Sequence, residues 1–397
     1  MSKQFKASGT QRQKALKSSS ENQNRKHSRT VLYESMDPTM QESFEDPFTP
    51  AYDEILPSSE FEDKAYAWYR EEFAENSMNP PEECVLGCVV RLDRGYPLVV
   101  TKLQTVRAEH AIALVKNADK RAAVGDWVLV SIPQTHDKAR IEAILPRKSE
   151  LTRWDGSNRG QRQVLAANLD LLIAVQALSK RPVSCERIMR SLVIAYEGNM
   201  QAAVVLTKAD RSANVEADVK LVRAAIGPNI PLVVTSSLDN TGIEQVKALV
   251  PFQTSALLLG ESGAGKSTLV NTMVGSPVLG TSAVREKDDL GRHTTVARRM
   301  LKLPDAGVLA DAPGLRSLPL LNEDRGLACV FPEIDERIHA CRFRDCSHGS
   351  EPGCAVREGV ASGEVDPDRL ERYRAFTAEM LHNRRSLDLS APLSLTK

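Results

Sequence analysis

Apolar positions follow two successive patterns along the chain, and the first is a series of short β-rich runs. The runs are separated by Gly, Pro and Asp, and they cover Cys84–Leu92, Tyr96–Thr101, Asp126–Ser131 and Ala139–Ile144. Several short strands within about 65 residues predict a small all-β barrel. We favour an OB-fold for residues 84–148, although the same pattern also permits an SH3-like barrel.

The second pattern is an alternation of apolar strands with amphipathic helices. It begins after a polar stretch, which we interpret as a linker over residues 149–165. The strand candidates are Leu169–Val175, Ala202–Leu206, Leu232–Thr235, Ser255–Leu259 and Val308–Ala310. Such alternation predicts a parallel α/β sheet, here over residues 166–326.

The C-terminal part, residues 327–397, is predicted to be a small helical domain. A helix is expected to begin at Asp366 and Pro367, because Asp caps free amides and Pro suits the first helical turn. Its apolar face is expected to comprise Leu370, Tyr373, Thr377, Met380 and Leu381.

The N-terminal residues 1–83 have a different composition. The first 30 are rich in Lys, Arg, Ser and Gln with Glu21 as the single acid, whereas residues 34–83 are strongly acidic. These runs predict a disordered, basic-then-acidic tail. An organelle transit peptide has a similar composition, but we favour a basic arm that binds RNA.

The whole chain has 397 residues, of which 26% are charged and 42% hydrophobic, and its net charge is zero. No apolar run approaches the roughly 20 residues that cross a bilayer, and the start has no compact apolar signal segment. We therefore expect a cytoplasmic, multidomain protein that needs no membrane.

A P-loop pattern lies between the apolar strand ending at Leu259 and a predicted helix. Its residues are Gly260, Glu261, Ser262, Gly263, Ala264, Gly265, Lys266 and Ser267, followed by Thr268. Glycines let backbone amides converge on phosphate oxygens, Lys266 can reach the β- and γ-phosphates, and Ser267 can bind Mg²⁺. The alternative is a glycine-rich turn without a ligand.

Two further loops are candidates to recognise the base of a bound nucleotide. Thr207-Lys-Ala-Asp210 follows an apolar strand, and the Asp210 carboxylate can accept both N1–H and N2–H of guanine while the Lys208 stem covers the base. Alone, this tetrapeptide could equally be a helix-capping turn. The loop of Ser236 and Ser237 resembles the second base-contacting loop of GTPases.

The phosphate side has two more candidate segments. Asp311-Ala-Pro-Gly314 resembles the motif whose carboxylate holds Mg²⁺ through water and whose glycine senses the γ-phosphate. Between it and the P-loop, Gly291–Thr295 is a candidate switch loop, in which either Thr294 or Thr295 would ligate Mg²⁺.

The residue that orients the attacking water in Ras-like enzymes is a Gln just after this Gly, but this chain has Leu315 there. Unstimulated hydrolysis is therefore expected to be slow. His293 is the candidate to position the water, and the alternative is an exposed loop histidine without a role.

The order of the motifs is informative. The base-reading loops at residues 207 and 236 precede the phosphate-binding segments, which is the reverse of a Ras-like chain. We therefore expect a circularly permuted domain, which is feasible because chain termini lie at the surface and often close together.

Cys341, Cys346, His348 and Cys354 fall within one short segment. Three thiolates and an imidazole can close a tetrahedral Zn²⁺ site with no open position, which makes the site structural. The alternative is a small core of reduced cysteines. Cys84, Cys88, Cys185 and Cys329 are interpreted as ordinary small apolar residues.

Two other classes of protein were weighed. A metabolic P-loop kinase needs a substrate-phosphate pocket and has no use for a guanine-reading Asp210. A nucleic-acid-binding barrel and zinc protein with a vestigial GTP site is disfavoured, because Lys266, Ser267 and Asp311 are all retained.

Taken together, these residues resemble the RsgA/YjeQ family of circularly permuted GTPases that act in maturation of the small ribosomal subunit. Besides the nucleotide motifs, the resemblance includes Val124–Trp127, Leu145–Ser149, Leu165–Asn168, Cys341–His348 and Glu351–Cys354. It spans roughly residues 84–385. The usual Asn at the first base-reading position is Thr207 here, which is expected to loosen the bridge to the P-loop and weaken GTP binding.

The resemblance implies an OB-fold, a permuted GTPase domain and a zinc-binding helical domain, whose outer domains grip ribosomal RNA. It implies hydrolysis of GTP to GDP on the small subunit followed by release, with His293 as the switch histidine and the Cys₃His set as zinc ligands. We expect a monomer. Nothing in the resemblance extends to the N-terminal 83 residues.

Overall fold

The structure is a computed structural model. It describes residues 46–74, 84–92, 96–115, 121–133, 138–155, 161–280, 298–311 and 318–386. The basic arm, the candidate switch residues His293, Thr294 and Thr295, and the pair Gly314 and Leu315 lie outside the described residues.

Two helices lie in residues 46–74, the described part of the acidic segment before the barrel. They are α1 (Tyr52–Ile55) and α2 (Ser59–Trp68), and a π-helical turn (Tyr69–Ala74) follows them. Ser58 caps α2, because its Oγ accepts from the Phe61 amide at 3.1 Å. The expectation of disorder throughout residues 1–83 is therefore wrong for this segment, in which Tyr52, Ile55 and Ala65 are buried.

The barrel has five strands, β1 (Val85–Leu92), β2 (Leu98–Thr101), β3 (Thr105–His110), β4 (Trp127–Ser131) and β5 (Ala139–Ile144), with a short helix α3 (Ile112–Val115) after β3. Neighbours run in the order β1-β2-β3-β5-β4, and β4 returns to β1 to close the barrel. Strands β3 and β5 are parallel, whereas the other pairs are antiparallel. This closed Greek-key barrel confirms the OB-fold prediction.

A β-hairpin occupies most of the stretch interpreted as a linker. Strands β6 (Glu150–Asp155) and β7 (Gln161–Ala167) pair antiparallel with each other. The hairpin is anchored by Leu151 and Leu165, which are fully buried. The alternation of buried and polar positions was hidden by the many charged residues, so the linker interpretation of residues 149–165 needs this correction.

The α/β domain follows with alternating strands and helices. In chain order these are β8 (Leu171–Ala177), α4 (Cys185–Glu197), β9 (Gln201–Thr207), α5 (Val215–Ile226), β10 (Leu232–Val234), α6 (Ile243–Ala248), β11 (Ser255–Leu259), α7 (Lys266–Val274), β12 (Arg298–Lys302) and β13 (Val308–Asp311). The strand order is β10-β9-β8-β11-β13-β12. All are parallel except β12, so the predicted parallel sheet is confirmed.

The sheet is buried on both faces. Alternate residues of β8 point to opposite sides, with Leu172 in the core beneath α4 and α5 and Ile173 in the core beneath α6 and α7. Strand β12 also pairs with β1 of the barrel, with Arg91 opposite Arg299 and Leu92 opposite Arg298. Among the described residues, barrel and domain thus share one eleven-stranded sheet.

In the C-terminal part, residues 318–386 as the structure describes them contain four helices, namely α8 (Asp324–Val330), α9 (Pro332–Ile338), α10 (Ala355–Ser362) and α11 (Pro367–Ser386). The predicted start of α11 is confirmed, because Asp366 Oδ1 accepts from the Arg369 amide at 3.1 Å. Phe376 is buried in its face, whereas Leu381, predicted to be there, is 36% exposed. None of the described helices, α11 included, is long and apolar enough to cross a membrane.

Helix α11 also holds the segment that follows β13 in the chain. Its Asn383 side chain donates to the Leu320 carbonyl at 2.8 Å, and its Glu379 carboxylate accepts from the Leu320 amide at 3.3 Å. Glu379 also pairs with Arg190 of α4, with 2.6 Å between Nη1 and Oε1. The helical domain is therefore docked on the α4 side of the sheet.

Candidate nucleotide site and metal cluster

The candidate nucleotide residues meet at one edge of the sheet. Parallel strands present their carboxyl ends at the same edge, where α/β proteins bind ligands. Strand β9 ends at Thr207, β11 is followed by Gly260, and β13 ends at Asp311. The loop of Ser236 follows the neighbouring strand β10.

The P-loop lies between β11 and the N-terminus of α7. Gly265 precedes the helix with φ of 89°, a left-handed conformation that favours glycine. A side chain at Gly260 would place its Cβ 2.2 Å from the Val175 carbonyl oxygen, so the loop passes the end of β8 closely. These two constraints explain why the turn needs glycine at both ends.

Two lysines span this loop. Lys266 Nζ donates to the carbonyls of Gly260 at 2.6 Å and Glu261 at 2.9 Å. Lys208, from the base-reading loop, donates to the carbonyl of Gly263 at 2.6 Å. Both ammonium groups therefore lie beside the loop amides, which concentrates positive charge where an anionic phosphate chain would bind.

Thr207 joins the base-reading loop to the P-loop. Its hydroxyl donates to the Ala264 carbonyl at 2.6 Å, and the residue is only 3% exposed. Thr207 thus makes the bridge that was expected to be loosened by the absence of Asn. A buried hydrogen bond of this kind also fixes the distance between the two loops.

Asp210 lies against the loop that follows β10. Its carboxylate accepts from Ser236 Oγ at 3.3 Å, and the Ala209 amide donates to the Thr235 carbonyl at 3.1 Å. Arg211 lies 3.8 Å from the other carboxylate oxygen. Ser236 is buried and Ser237 half-buried. The structure therefore brings the two predicted base-reading loops into contact.

The predicted Mg²⁺ ligands are only partly within the described chain. Ser267 is half-buried in the first turn of α7, and Asp311 ends β13 opposite Arg299 of β12. Thr294 and Thr295, with the proposed water-positioning His293 and the γ-phosphate sensor Gly314, belong to the segments outside the description.

One neighbour of the site was missed by the motifs. Arg187 of α4 pairs with Glu261 of the P-loop, with 2.7 Å between Nη1 and Oε2. Both residues line a cleft of about 670 Å³ that extends from Gly260 to Pro319 and α11. No sequence pattern signals this contact, because the two residues lie far apart in the chain.

The four candidate metal ligands form a separate cluster. Their ligand atoms all lie within 4.8 Å of one another. Cys341 Sγ is 3.9 Å from Cys354 Sγ and 3.6 Å from His348 Nδ1, and Cys354 Sγ is 3.5 Å from that nitrogen. A tetrahedral zinc ion with ordinary bond lengths requires about 3.8 Å between sulfurs and about 3.5 Å between sulfur and nitrogen. The donor set and its spacing fit such an ion.

The surrounding loop supports this arrangement. Burial lowers the pKa of His348, which favours the neutral imidazole that metals bind. Glu351 accepts hydrogen bonds from Ser347 and from the Gly349 amide, and these lower its pKa to about 2. The carboxylate thus stays charged and keeps the loop closed around His348.

A P-loop on a parallel sheet, with base-reading loops encoded before it, defines the class of circularly permuted GTPases. Residues 144–321 match the family model described as RsgA GTPase. The protein named small ribosomal subunit biogenesis GTPase RsgA from Streptomyces avermitilis is 38% identical over 79% of this chain and 84% of its own length. Its namesake from Xanthomonas euvesicatoria is 38% identical over 72% and 78%.

The chain belongs to the RsgA family and is a GTP hydrolase. Solved structures agree with this. YjeQ from Thermotoga maritima is 26% identical with a TM-score of 0.58, over 75% of this chain and 99% of its own. YloQ, described as a circularly permuted GTPase, covers 76% of this chain and 96% of its own with a TM-score of 0.55. Because YloQ is only 21% identical to this chain, its similarity supports the fold alone.

Proposed function

We propose that this protein binds the small ribosomal subunit and couples GTP hydrolysis to a late step of its maturation and to its own release. The names of its relatives support the subunit as the partner. The observation that carries the nucleotide assignment is the hydrogen bond between Thr207 and Ala264, because it joins a base-reading loop to a phosphate-binding loop.

Guanine is read by Asp210 in this proposal. The carboxylate accepts from N1 and N2 of the base, the Lys208 stem covers one base face, and the loop of Ser236 and Ser237 supplies a backbone amide to O6. Ser236 already contacts Asp210, which supports a shared pocket. Adenine lacks this pair of donors, so the pocket selects guanine.

The phosphates are held by the P-loop. Amides of residues 260–265 and the α7 N-terminus, up to Ser267 and Thr268, surround them, and Lys266 exchanges its loop carbonyls for β- and γ-phosphate oxygens. Ser267, Asp311 and either Thr294 or Thr295 would hold Mg²⁺, which neutralises charge on the phosphates. Gly314 would contact the γ-phosphate.

Hydrolysis is proposed to be slow until the subunit is bound. Leu315 can neither polarise nor orient a water, so His293 is proposed to do so when the switch loop is ordered. His293→Ala should abolish subunit-stimulated turnover while nucleotide affinity is retained. Unchanged stimulated turnover in that variant would remove His293 from the mechanism.

The Cys₃His cluster is proposed to hold one structural Zn²⁺. Cys341, Cys346, His348 and Cys354 would be its ligands, and bound zinc would cross-link the loop between α9 and α10. With four protein ligands there is no open position for a substrate.

The outer domains are proposed to contact ribosomal RNA. We assign residues 84–148 as the OB-fold domain, 166–326 as the GTPase domain and 327–397 as the zinc-binding domain of a cytoplasmic monomer. The basic arm would add phosphate contacts, so deleting residues 1–30 should reduce the salt dependence of subunit binding. If the deletion leaves the salt dependence of subunit binding unchanged, the arm makes no phosphate contacts.

The decisive experiment is GTP turnover with and without purified small ribosomal subunits. We expect strong stimulation, and its absence would refute the proposed partner. Base selection is tested separately with Asp210→Asn, which should shift preference from guanosine to xanthosine triphosphate. If this variant keeps its guanosine preference, the base pocket is elsewhere.

A further inference from the structure

Residues 48–69, here called the strap, contact two different domains. They include α1, α2 and the chain between them, and they belong to the same structural unit as everything C-terminal to them. The strap lies in the acidic segment, to which the sequence motifs described above do not extend, so its role is argued from its own contacts.

On the barrel, the strap covers Trp127 of β4. The Tyr52 ring meets the indole edge-on at 5.8 Å, and the Phe61 ring lies at 5.1 Å on a tilted plane. Trp127 is consequently only 4% exposed. Tyr66 Oη also accepts from the Leu86 amide at 3.1 Å, which ties α2 to β1. Aromatic contacts of this kind are strong for their area.

On the sheet, the strap makes a backbone hydrogen bond and an ion pair to the last residue of strand β12. The Phe48 carbonyl accepts from the Lys302 amide at 2.9 Å, and Glu54 lies 3.6 Å from Lys302 Nζ. The Phe48 ring packs half-buried against the core beneath α6 and α7. The strap therefore begins on the GTPase domain and continues onto the barrel.

Strand β12 is a significant point of attachment. It directly follows in sequence the segment that carries His293, Thr294 and Thr295. Its own ladder to the barrel is short, with two residue pairs between β1 and β12. A second connection at Lys302 would thus restrict how the barrel rotates about that ladder.

We propose that the strap is an internal interdomain connector, which fixes the barrel against β12 and holds the RNA-binding and hydrolytic domains in one orientation. The RNA-binding part rests on the proposed function, whereas the mechanical part does not. The strap is the chain's own N-terminal segment, and Tyr52 and Phe61 attach it to the barrel while Phe48 attaches it to the sheet.

The test is to weaken the contact of the strap with the barrel and to measure the effect on its contact with β12. Phe61→Ala removes a ring from the barrel side, and amide hydrogen exchange is then measured in the full chain. A connector predicts at least tenfold faster exchange both in β4 and at the distant Lys302 amide of β12. Faster exchange confined to β4 would show that the strap is only a local cover, and would overturn the proposal.

Two further variants test whether the faster exchange reflects a general loss of stability of the protein. Phe252→Ala removes a ring that is 60% exposed and lies outside the strap, and it should leave exchange in β4 and β12 unchanged. Phe48→Ala is the reciprocal variant and should speed exchange in β4. If neither Phe48→Ala nor Phe61→Ala affects the opposite end, no connection exists.

Turnover provides the functional readout. Phe61→Ala should leave unstimulated GTP hydrolysis unchanged and lower subunit-stimulated hydrolysis at least threefold. Equal stimulation in variant and parent would refute the orienting role. If the parent protein itself is not stimulated, the proposed function fails, but the exchange experiment still decides whether the strap connects the domains.

Discussion

The nucleotide site and the metal cluster are assembled in opposite ways. The nucleotide site collects loops from Thr207 to Asp311, which strands of one sheet bring to a common edge. The candidate metal cluster takes its four potential ligands from one short loop, Cys341 to Cys354. The fold of the sheet therefore assembles the nucleotide site, whereas a metal ion in the cluster would itself order the loop that supplies its ligands.

This difference has an energetic meaning. Hydrogen bonds from Thr207 and Lys208 hold the P-loop from within the protein, so it should keep its shape when GTP dissociates. The loop of the cluster has little regular structure between α9 and α10, so a bound metal ion would contribute much of what holds it folded. Loss of GTP binding should therefore affect mainly function, whereas loss of the metal ion should affect mainly the stability of the helical domain.

The largest effect is expected from Cys354→Ser. This cysteine is buried at the start of α10, and its loss should release the metal and destabilise the helical domain by at least about 4 kcal/mol. Metal content by mass spectrometry and thermal unfolding would measure both. Cys329→Ser, at an exposed cysteine outside the cluster, is the control. Full metal content in Cys354→Ser would contradict the ligand set.

Lys266→Ala should have the next largest effect, but on binding. Removing a charge-assisted contact to phosphate should weaken GTP affinity about 100-fold, or about 3 kcal/mol. The melting temperature without nucleotide should change little, because the Gly260 and Glu261 carbonyls that Lys266 bonds are part-buried and exposed, so water can replace the lysine. Titration calorimetry measures the affinity, with Lys247→Ala as control. A large loss of stability in Lys266→Ala without nucleotide would contradict the proposed difference between the two sites.

Thr207→Ala should weaken both properties moderately. The variant leaves the Ala264 carbonyl without its buried donor, which should cost about 1–2 kcal/mol in stability and lower GTP affinity. Thr207→Ser keeps the hydroxyl and should behave nearly as the parent in denaturant unfolding and nucleotide titration. Equal losses in both variants would indicate that the methyl group, not the hydrogen bond, is important.

The smallest effect concerns Glu323, on the segment between the two sites. Burial, with the nearby Glu197 charge, raises its pKa to about 7. Between pH 5 and 7 the folded protein therefore holds a proton that the unfolded chain has lost, so stability falls as pH rises. Glu323→Gln removes this titrating carboxyl and should flatten the fall in stability between pH 5 and 7, measured by unfolding at each pH. An unchanged pH profile would show that Glu323 is ionised throughout.

Strands made mostly of apolar residues were predicted well from sequence, whereas two strands with fewer apolar residues, β3 and β12, were missed. The bounds of β11 and β5 were predicted as they occur. Strand β12 was missed because Arg298, Arg299 and Lys302 surround its two buried residues, Met300 and Leu301. Strand β3 was missed for the same reason, since Arg107 and Glu109 interrupt its pattern. Pairing on both sides stabilises these strands, and a single-chain pattern does not record pairing.

The same limit applies to the sites. Motifs identified the loops because each loop's chemistry is local in sequence. The contacts of Thr207 with Ala264 and of Arg187 with Glu261 join distant segments, so only the fold reveals them. The strap was missed because its acidic composition outweighs a few aromatic residues whose burial depends on Trp127.

The pairing of β12 with β1 also has a consequence for solubility. In an isolated GTPase domain, β12 would be the open edge of a sheet, with unpaired amides and carbonyls available to another molecule. The barrel strand and the Phe48 carbonyl cover that edge in the whole chain. A fragment limited to the nucleotide-binding region should therefore self-associate through this edge, whereas the whole chain should not.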